Sequence, residues 1–535
     1  MSKSEERYNI FNWRLIILVL LMVVVLVCVF ILNNQQTDNS ALKIFNTIDI
    51  DDGDSKINWQ RYSNYDIELS DSLEITKAGV YHLSGALSGG NIIINVSKED
   101  PVKLVLDNVS ISSTDGPAIA CLEGDDLIIE LVGNNYLEDV PSYDTQYDSD
   151  ITGTLYSKAD LTFQGDGSLN ITSNYLDGIV SKDDLKFISG NYDIIANDDA
   201  IRGKDSVYII DGSFNIKSNA DAIKATNETD NGKGFVFIKN GNFVIDSGAK
   251  GIKAINSLLI NNGSFSITSY DDSLHSNNYI GILGGVFEID SLDDGMHADN
   301  ELIIDNGSIV VSRAYEGIEA KVVTINGGDI SLTTHDDGIN AGGGADDSSM
   351  NRPGSGMFNV EADCSLSING GYVYVNSSGD GIDSNGYLYF NGGDVVIDGP
   401  ANNGNGALDS GTGIVMNGGT VFAVGASGMA VSLGSSSNVH NISVYFDSVL
   451  NSGTTIEIRD SKGETVLSHT SAKSFNHLSA GTEQFELGAT YTIYINNYEY
   501  IDFTISDITT VIGEINGGTG PDVPQDVNMP IRKQH

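Results

Sequence analysis

Cysteine, proline and basic side chains are all scarce in this chain. Three cysteines in 535 residues offer no disulfide framework. Cys121 and Cys364 read as small apolar core residues and not as a disulfide or a nucleophile. Eight prolines beside 60 glycines, with 40% of residues apolar, fit a turn-rich β protein better than a disordered one. Only 28 basic residues face 73 acidic ones, a net charge of −45. That balance excludes nucleic acid as a partner, because nothing would neutralise phosphates. A Gly-x-Ser-x-Gly elbow, a His-Glu-x-x-His pair, a phosphate loop and EF-hand spacing are all missing.

What is present is a repeat: two acidic residues, Gly, an apolar residue, any residue, then a small one. Copies include Asp271-Asp272-Ser273-Leu274-His275-Ser276, Asp293-Asp294-Gly295-Met296-His297-Ala298 and Asp336-Asp337-Gly338-Ile339-Asn340-Ala341. Counted at the apolar residue they stand at Ile179, Ile201, Ile223, Ile252, Leu274, Met296, Ile318, Ile339, Ile382 and Leu408. The steps are 22, 22, 29, 22, 22, 22, 21, 43 and 26. The long steps carry polar insertions at 227–234 and 342–358. A second turn recurs within each repeat, as at Asn240-Gly241, Asn262-Gly263 and Gly392-Gly393. Segments between turns are four to six residues with period-two alternation. Three short strands and three turns per 22 residues predict an all-β solenoid, a parallel β-helix. Leucine-rich repeats share the length, but their Leu-x-x-Leu-x-Leu spacing is absent.

Stacking such coils about 4.8 Å apart lines the motif residues up in columns. The residue before Gly forms one: Asp177, Asp199, Asp221, Lys250, Asp272, Asp294, Glu316, Asp337, Asp380. The residue after the apolar one forms another: Arg202, Lys224, Lys253, His275, His297, Glu319, Asn340, Asp383, Asp409. Alternation is expected to send this second column outward to the surface. Like charges one coil apart repel by roughly 3 kcal/mol at an effective dielectric near 20. Arg202, Lys224, Lys250 and Lys253 offset this in the early coils, whereas from Asp271 onward the basic partners are expected to run out. Asp198, Asp199, Asp271, Asp272, Asp293, Asp294, Glu316, Glu319, Asp336 and Asp337 are therefore candidate ligands for Ca²⁺, a hard cation that prefers oxygen. The competing reading is a solvated acidic face, or Asp serving only its turns. His275 and His297, one coil apart, read as surface polar residues before a transition-metal pair. Lys250 is either an internal counter-ion or a Brønsted base beside calcium. Tyr372, Tyr374, Tyr387 and Tyr389 alternate with apolar residues on successive strands and offer a face for stacking sugars.

Residues 15–32 form 18 consecutive apolar residues, enough to cross a bilayer. Lys3, Arg7 and Arg14 precede them, so 1–14 is expected in the cytoplasm and the rest outside, on an uncleaved single-pass anchor in the cell membrane. The expected order is then a linker at 33–47, the β-helix at 48–440, a small β cap at 441–512 that closes its open edge, and a disordered tail at 513–535. Residues 65–136 read as an irregular cap ahead of the regular coils.

Four segments carry a family likeness: Ala78-Gly79-Val80-Tyr81-His82-Leu83-Ser84-Gly85, Leu104-Val105-Leu106-Asp107-Asn108-Val109, Gly116-Pro117-Ala118-Ile119 and Asn135-Tyr136-Leu137-Glu138-Asp139. With the Asp-Gly-Ile coils that follow, residues 48–508 resemble the clostridial carbohydrate-binding domain-containing β-helix proteins. The resemblance implies a right-handed helix, secretion or surface anchoring, bound calcium, and affinity for cellulose-like glucan or polygalacturonate. It also implies a fold similar to family 9 polysaccharide lyases, which use a Lys base beside calcium. Polysaccharide binding is the expected function and lyase activity its competitor, with a purely structural surface stalk as a third reading. At net −45, binding a polyuronate would need calcium to bridge carboxylates on both sides.

Overall fold

The computed structural model describes residue 41 and residues 57–144, 146–230, 232–342 and 363–514. The chain divides into two units, Met1–Asp49 and Ile50–His535, and the architecture below is that of the second. The expected anchor at 15–32, most of the insertion at 342–358 and nearly all of the tail lie outside the described residues. Among those described, no helix is long and apolar enough to cross a membrane.

The repeat builds three parallel ladders. In one coil these are Ile252–Ala254, Ser257–Ile260 and Ser264–Ser269, and each pairs in register with its counterpart one coil on. Ile252 meets Leu274, Leu258 meets Ile280, and Phe265 meets Phe287. The first ladder, three residues wide, carries the Asp-Gly-Ile motif. The alternating pattern of the third strand (exposed, buried, exposed, buried) follows from side chains pointing to opposite faces. The inward apolar residues form one continuous core.

Within that core the rings of Tyr192, Phe214, Phe243, Phe265 and Phe287 stack with centroids 4.8, 4.9, 4.7 and 4.6 Å apart. The ring spacing thereby matches the pitch that hydrogen bonding between adjacent strands sets. The turn before each ring needs glycine: Gly241 has φ 143°, and a Cβ there would lie 2.9 Å from the Phe243 ring. A ladder of turn amides runs up the C-terminal half. Asn326 donates to Asp305, Asn369 to Asn326, Asn391 to Asn369, Asn417 to Asn391 and Asn438 to Asn417, all at 2.7–2.8 Å.

Residues 65–136 are not the irregular cap that their sequence suggested. Gly79–Ser88 and Val102–Ser112 are parallel strands of the same stack. Val102–Ser112 bends across a corner and pairs with two successive strands of the next coil, Asp126–Val132 and Asn134–Glu138. The corner is held by Asn135, fully buried. Its Oδ1 accepts the Val109 amide at 2.9 Å, and its Nδ2 donates to the Val132 and Ser168 carbonyls at 3.2 Å.

At the other end, Thr420–Gly425 of the last coil pairs antiparallel with Phe475–Thr482, which pairs antiparallel with Asn441–Leu450. A separate four-stranded antiparallel sheet, Thr465–Thr470, Thr455–Asp460, Thr490–Ile495 and Tyr498–Thr504, completes residues 441–512. Its core is distinct from that of the coils.

Candidate functional site

The acidic column is first of all a hydrogen-bonding device. In six of its members one carboxylate oxygen accepts the backbone amide of the counterpart one coil on. Asp177 accepts Asp199 (3.2 Å), Asp199 accepts Asp221 (3.1 Å), and Asp221 accepts Lys250 (3.0 Å). Asp272 accepts Asp294 (3.1 Å), Asp294 accepts Glu316 (3.0 Å), and Asp337 accepts Asp380 (2.6 Å). The following residue is glycine in most copies because coils approach there: a Cβ on Gly251 would sit 2.5 Å from the Ser273 carbonyl oxygen. These amides point where no strand partner exists, and a buried unpaired amide costs about 1–3 kcal/mol. The turn reading of these Asp residues thus has a concrete form.

The second oxygen of each carboxylate needs a cation, and the source changes along the column. Arg202 pairs with Asp177. Lys224 bridges Asp199 (2.5 Å) and Asp221 (3.3 Å). Lys250 reaches forward one coil and binds Asp271 and Asp272, both at 2.7 Å. His275 Nδ1 adds a contact to Asp272 at 2.8 Å. Burial opposes charge on Asp272, but His275 and Lys250 outweigh it and hold the carboxyl below its usual range. Next, His297 Nδ1 lies 2.9 Å from Glu319 and 3.4 Å from Asp294, and its Nε2 lies 3.2 Å from Asp299. Glu316 accepts the Asn340 amide at 3.0 Å.

The last group differs. Carboxylate oxygens of Asp337, Asp380 and Asp383 lie within 4.8 Å of one another, and among the described residues no Lys, Arg or His pairs with any of them. Burial, then the charges of Asp380 and Asp336, push Asp337 well above the carboxylate range. Burial, then Asp409, pushes Asp380 up to about 7. Asp383 also rises to about 7, through burial, Asp409 and Asp380. Other carboxylate groups stand at Asp177–Asp198–Asp199, Asp271–Asp272–Asp293 and Asp294–His297–Glu319, each with a basic side chain against it.

Several expectations are corrected by this geometry. The column after the apolar residue does not stand free at the surface: His275, His297, Glu319 and Asn340 are buried, and Arg202, Lys224, Lys253, Asp383 and Asp409 are half-buried. Asn277, just past its three-residue strand, and Asp299, within the strand Met296–Ile304, each lie against the neighbouring imidazole. The stretch without internal ammonium or guanidinium partners does not begin at Asp271, because Lys250 serves the coil after its own. Of its two readings, Lys250 has the geometry of the internal counter-ion. Burial disfavours its charge, but Asp272 and Asp271 override this and raise the ammonium's pKa. Nor do the four tyrosines share a face. Tyr372 and Tyr374 belong to the third ladder, Tyr387 and Tyr389 to the second. Within the second ladder Tyr387 and Tyr389 stack at 5.5 Å, and Tyr374 donates to Asp398 at 2.8 Å.

Asp380 and Asp383 were passed over as ligands because the 43-residue step hides that they sit one coil from Asp337. Their register is nonetheless plain, with Asn340 opposite Asp383. Also passed over were Tyr270 and Leu292, exposed beside the column, since strand alternation assigns no role to turn residues.

Residues 70–338, half of the chain, match the family described as "Carbohydrate-binding domain-containing protein". A protein of that description from Acetivibrio thermocellus is 34% identical over 128 residues, 23% of this chain. The match spans 45% of that relative's own length. Among solved structures, the polysaccharide lyase-like protein from C. thermocellum, as a gadolinium derivative, is 26% identical. That similarity covers 45% of this chain and 95% of the other at a TM-score of 0.37. The solenoid of Asp-Gly-Ile coils described above belongs to the carbohydrate-binding domain-containing protein family.

Proposed function

We propose that this protein is a polysaccharide binder that carries calcium in its acidic column and is held by residues 15–32 at the outer face of a membrane. The observation that carries the cation is the Asp337–Asp380–Asp383 group. At Asp177, Asp199, Asp221, Asp272 and Asp294 a basic side chain of the chain itself stands against the carboxylate; here three carboxylates converge with no such partner among the described residues. Oxygen-only donors supplied by carboxylates and nearby carbonyls suit Ca²⁺, which takes six to eight oxygens. Asp336 and Asp409 are the next carboxylates at hand. Bound there, the ion would neutralise the group and clamp neighbouring coils together.

Family membership supports carbohydrate as the ligand. Binding is favoured over lyase chemistry because the one candidate base, Lys250, is an ammonium committed to two carboxylates. The apolar run at 15–32, with its basic residues on one side, supports the anchor.

Metal analysis of the purified protein, with thermal unfolding in calcium and in chelator, tests the cation. Calcium at a thousandfold excess over its Kd should stabilise by about 4 kcal/mol, and Asp383→Asn should abolish the shift. No bound metal and no shift would sink this reading. Pull-down on polygalacturonate and on cellulose tests the ligand, and release of ultraviolet-absorbing unsaturated uronate would favour a lyase instead.

A further inference from the structure

Beside the acidic column, one edge of the solenoid exposes apolar side chains that its core does not require. Tyr270 is 70% exposed and Leu292 45%. They hold equivalent places one coil apart: the Tyr270 amide donates to Ser247 and the Leu292 amide to Ser269. Each directly precedes the first, outer acidic residue of its motif, Asp271 and Asp293. On the following coil Tyr315 takes the outer place, its amide donating to the Asp293 carbonyl. One coil further stands Asp336, whose amide donates to the Tyr315 carbonyl and whose carboxylate accepts the Tyr315 hydroxyl. The edge therefore presents two exposed apolar side chains on successive coils, followed by the half-buried Tyr315, with carboxylates beside them.

We propose that this edge binds an extended, uncharged polysaccharide running along the solenoid axis. Tyr270 and Leu292 lie under the C–H faces of successive sugar rings, while Asp271, Asp293 and Asp336 accept hydrogen bonds from hydroxyls. The inference rests on the carbohydrate-binding reading above and adds to it a face, which selects the uncharged one of the two sugars already expected. An exposed tyrosine ring offers rigid apolar area with a polar tip, and carboxylates are acceptors only. The edge thus complements a ligand rich in donors and without negative charge. Both cations placed by this edge are already committed: Lys250 is buried and bound to Asp271 and Asp272, and Arg313 is paired with Asp290. A uronate placed about 5 Å from one of these carboxylates would be repelled by roughly 3 kcal/mol at an effective dielectric near 20. The coil rise, seen in the 4.6–4.9 Å spacing of the stacked rings inside, is close to the length of one pyranose in an extended chain. Successive coils then meet successive sugars.

The test is titration calorimetry with cellohexaose and with a galacturonate hexamer, in calcium and in chelator, on the intact chain. Tyr270→Ala/Leu292→Ala should weaken cellohexaose binding about tenfold or more, a loss of some 1.4 kcal/mol, with the unfolding midpoint unchanged because both side chains face solvent. Tyr372→Ala/Tyr387→Ala should leave binding within about twofold. Wild-type affinity in the Tyr270/Leu292 variant, or a wild-type preference for the galacturonate hexamer, overturns this assignment while leaving carbohydrate binding itself intact. Failure of the wild type to bind any polysaccharide overturns the broader reading instead.

Discussion

Replacing Lys250 by methionine keeps most of the length of the side chain and removes its charge. The ammonium is 5% exposed and holds Asp271 and Asp272 at 2.7 Å each. Asp271 is 38% exposed, so its share is that of a surface pair, at most about 1 kcal/mol. Asp272 is 1% exposed, and taking away one member of a buried pair costs about 3–5 kcal/mol because the other charge stays behind. His275 still touches Asp272 and recovers part of that, which leaves an expected loss of about 3 kcal/mol in calcium-free buffer. The vacated space then has the character of the Asp337–Asp380–Asp383 group, so calcium should restore more stability to the variant than it adds to the wild type. Hydrogen exchange at the Lys250 and Asp294 amides localises the effect, because a solenoid opens coil by coil. A loss below about 1 kcal/mol without calcium, or no preferential rescue by it, would refute the idea that internal and external cations are interchangeable along the column.

Stability of the metal-free protein should fall as pH rises from about 4 to 7. Asp380 and Asp383, raised to about 7 in the folded state, bind protons that the unfolded chain, at its ordinary carboxylate pKa, has already released. Urea midpoints across that range check the slope, and saturating calcium should flatten it. Asn135→Ala removes three hydrogen bonds and strands the Val109 amide, with an expected cost of about 1–3 kcal/mol and faster exchange at Val109. Gly241→Val forces a branched side chain into φ 143° against the Phe243 ring. It should cost at least 1–3 kcal/mol in chemical denaturation, while Ser264→Ala one turn later changes little.

Coil length, strand count and the acidic column were legible because they follow from period and spacing, which a sequence displays directly. The placing of cations was not. Whether a long side chain such as Lys250 serves its own coil or the next depends on its reach across the stack, and the sequence carries no sign of that direction. Insertions hide neighbours in the same way, as the 43-residue step hid Asp380 and Asp383. Alternation told inside from outside for Tyr372 and Tyr387 but not which ladder each belonged to. At the N-terminal coils, Asn108 turns the corner at φ 54° with Asn135 beneath it, so the Gly pairs that mark later coils are absent and the region looked irregular.

The reversed strand at the C-terminal end has a consequence for size. A stack of parallel coils is a growing polymer: its last coil offers the same row of amides and carbonyls that any further coil, or the first coil of another molecule, would use. Phe475–Thr482 answers that row in the opposite direction, from Thr420↔Thr482 to Gly425↔His477. It acts as a chain terminator on that ladder, passing the sheet on to Asn441–Leu450 and Thr509–Ile512 and not to a further coil. Length is then a free variable. Coils duplicated between Ile252 and Met296 would lengthen the molecule one pitch at a time while the terminator stayed in place, whereas deleting residues 441–512 would turn a finished rod into a seed.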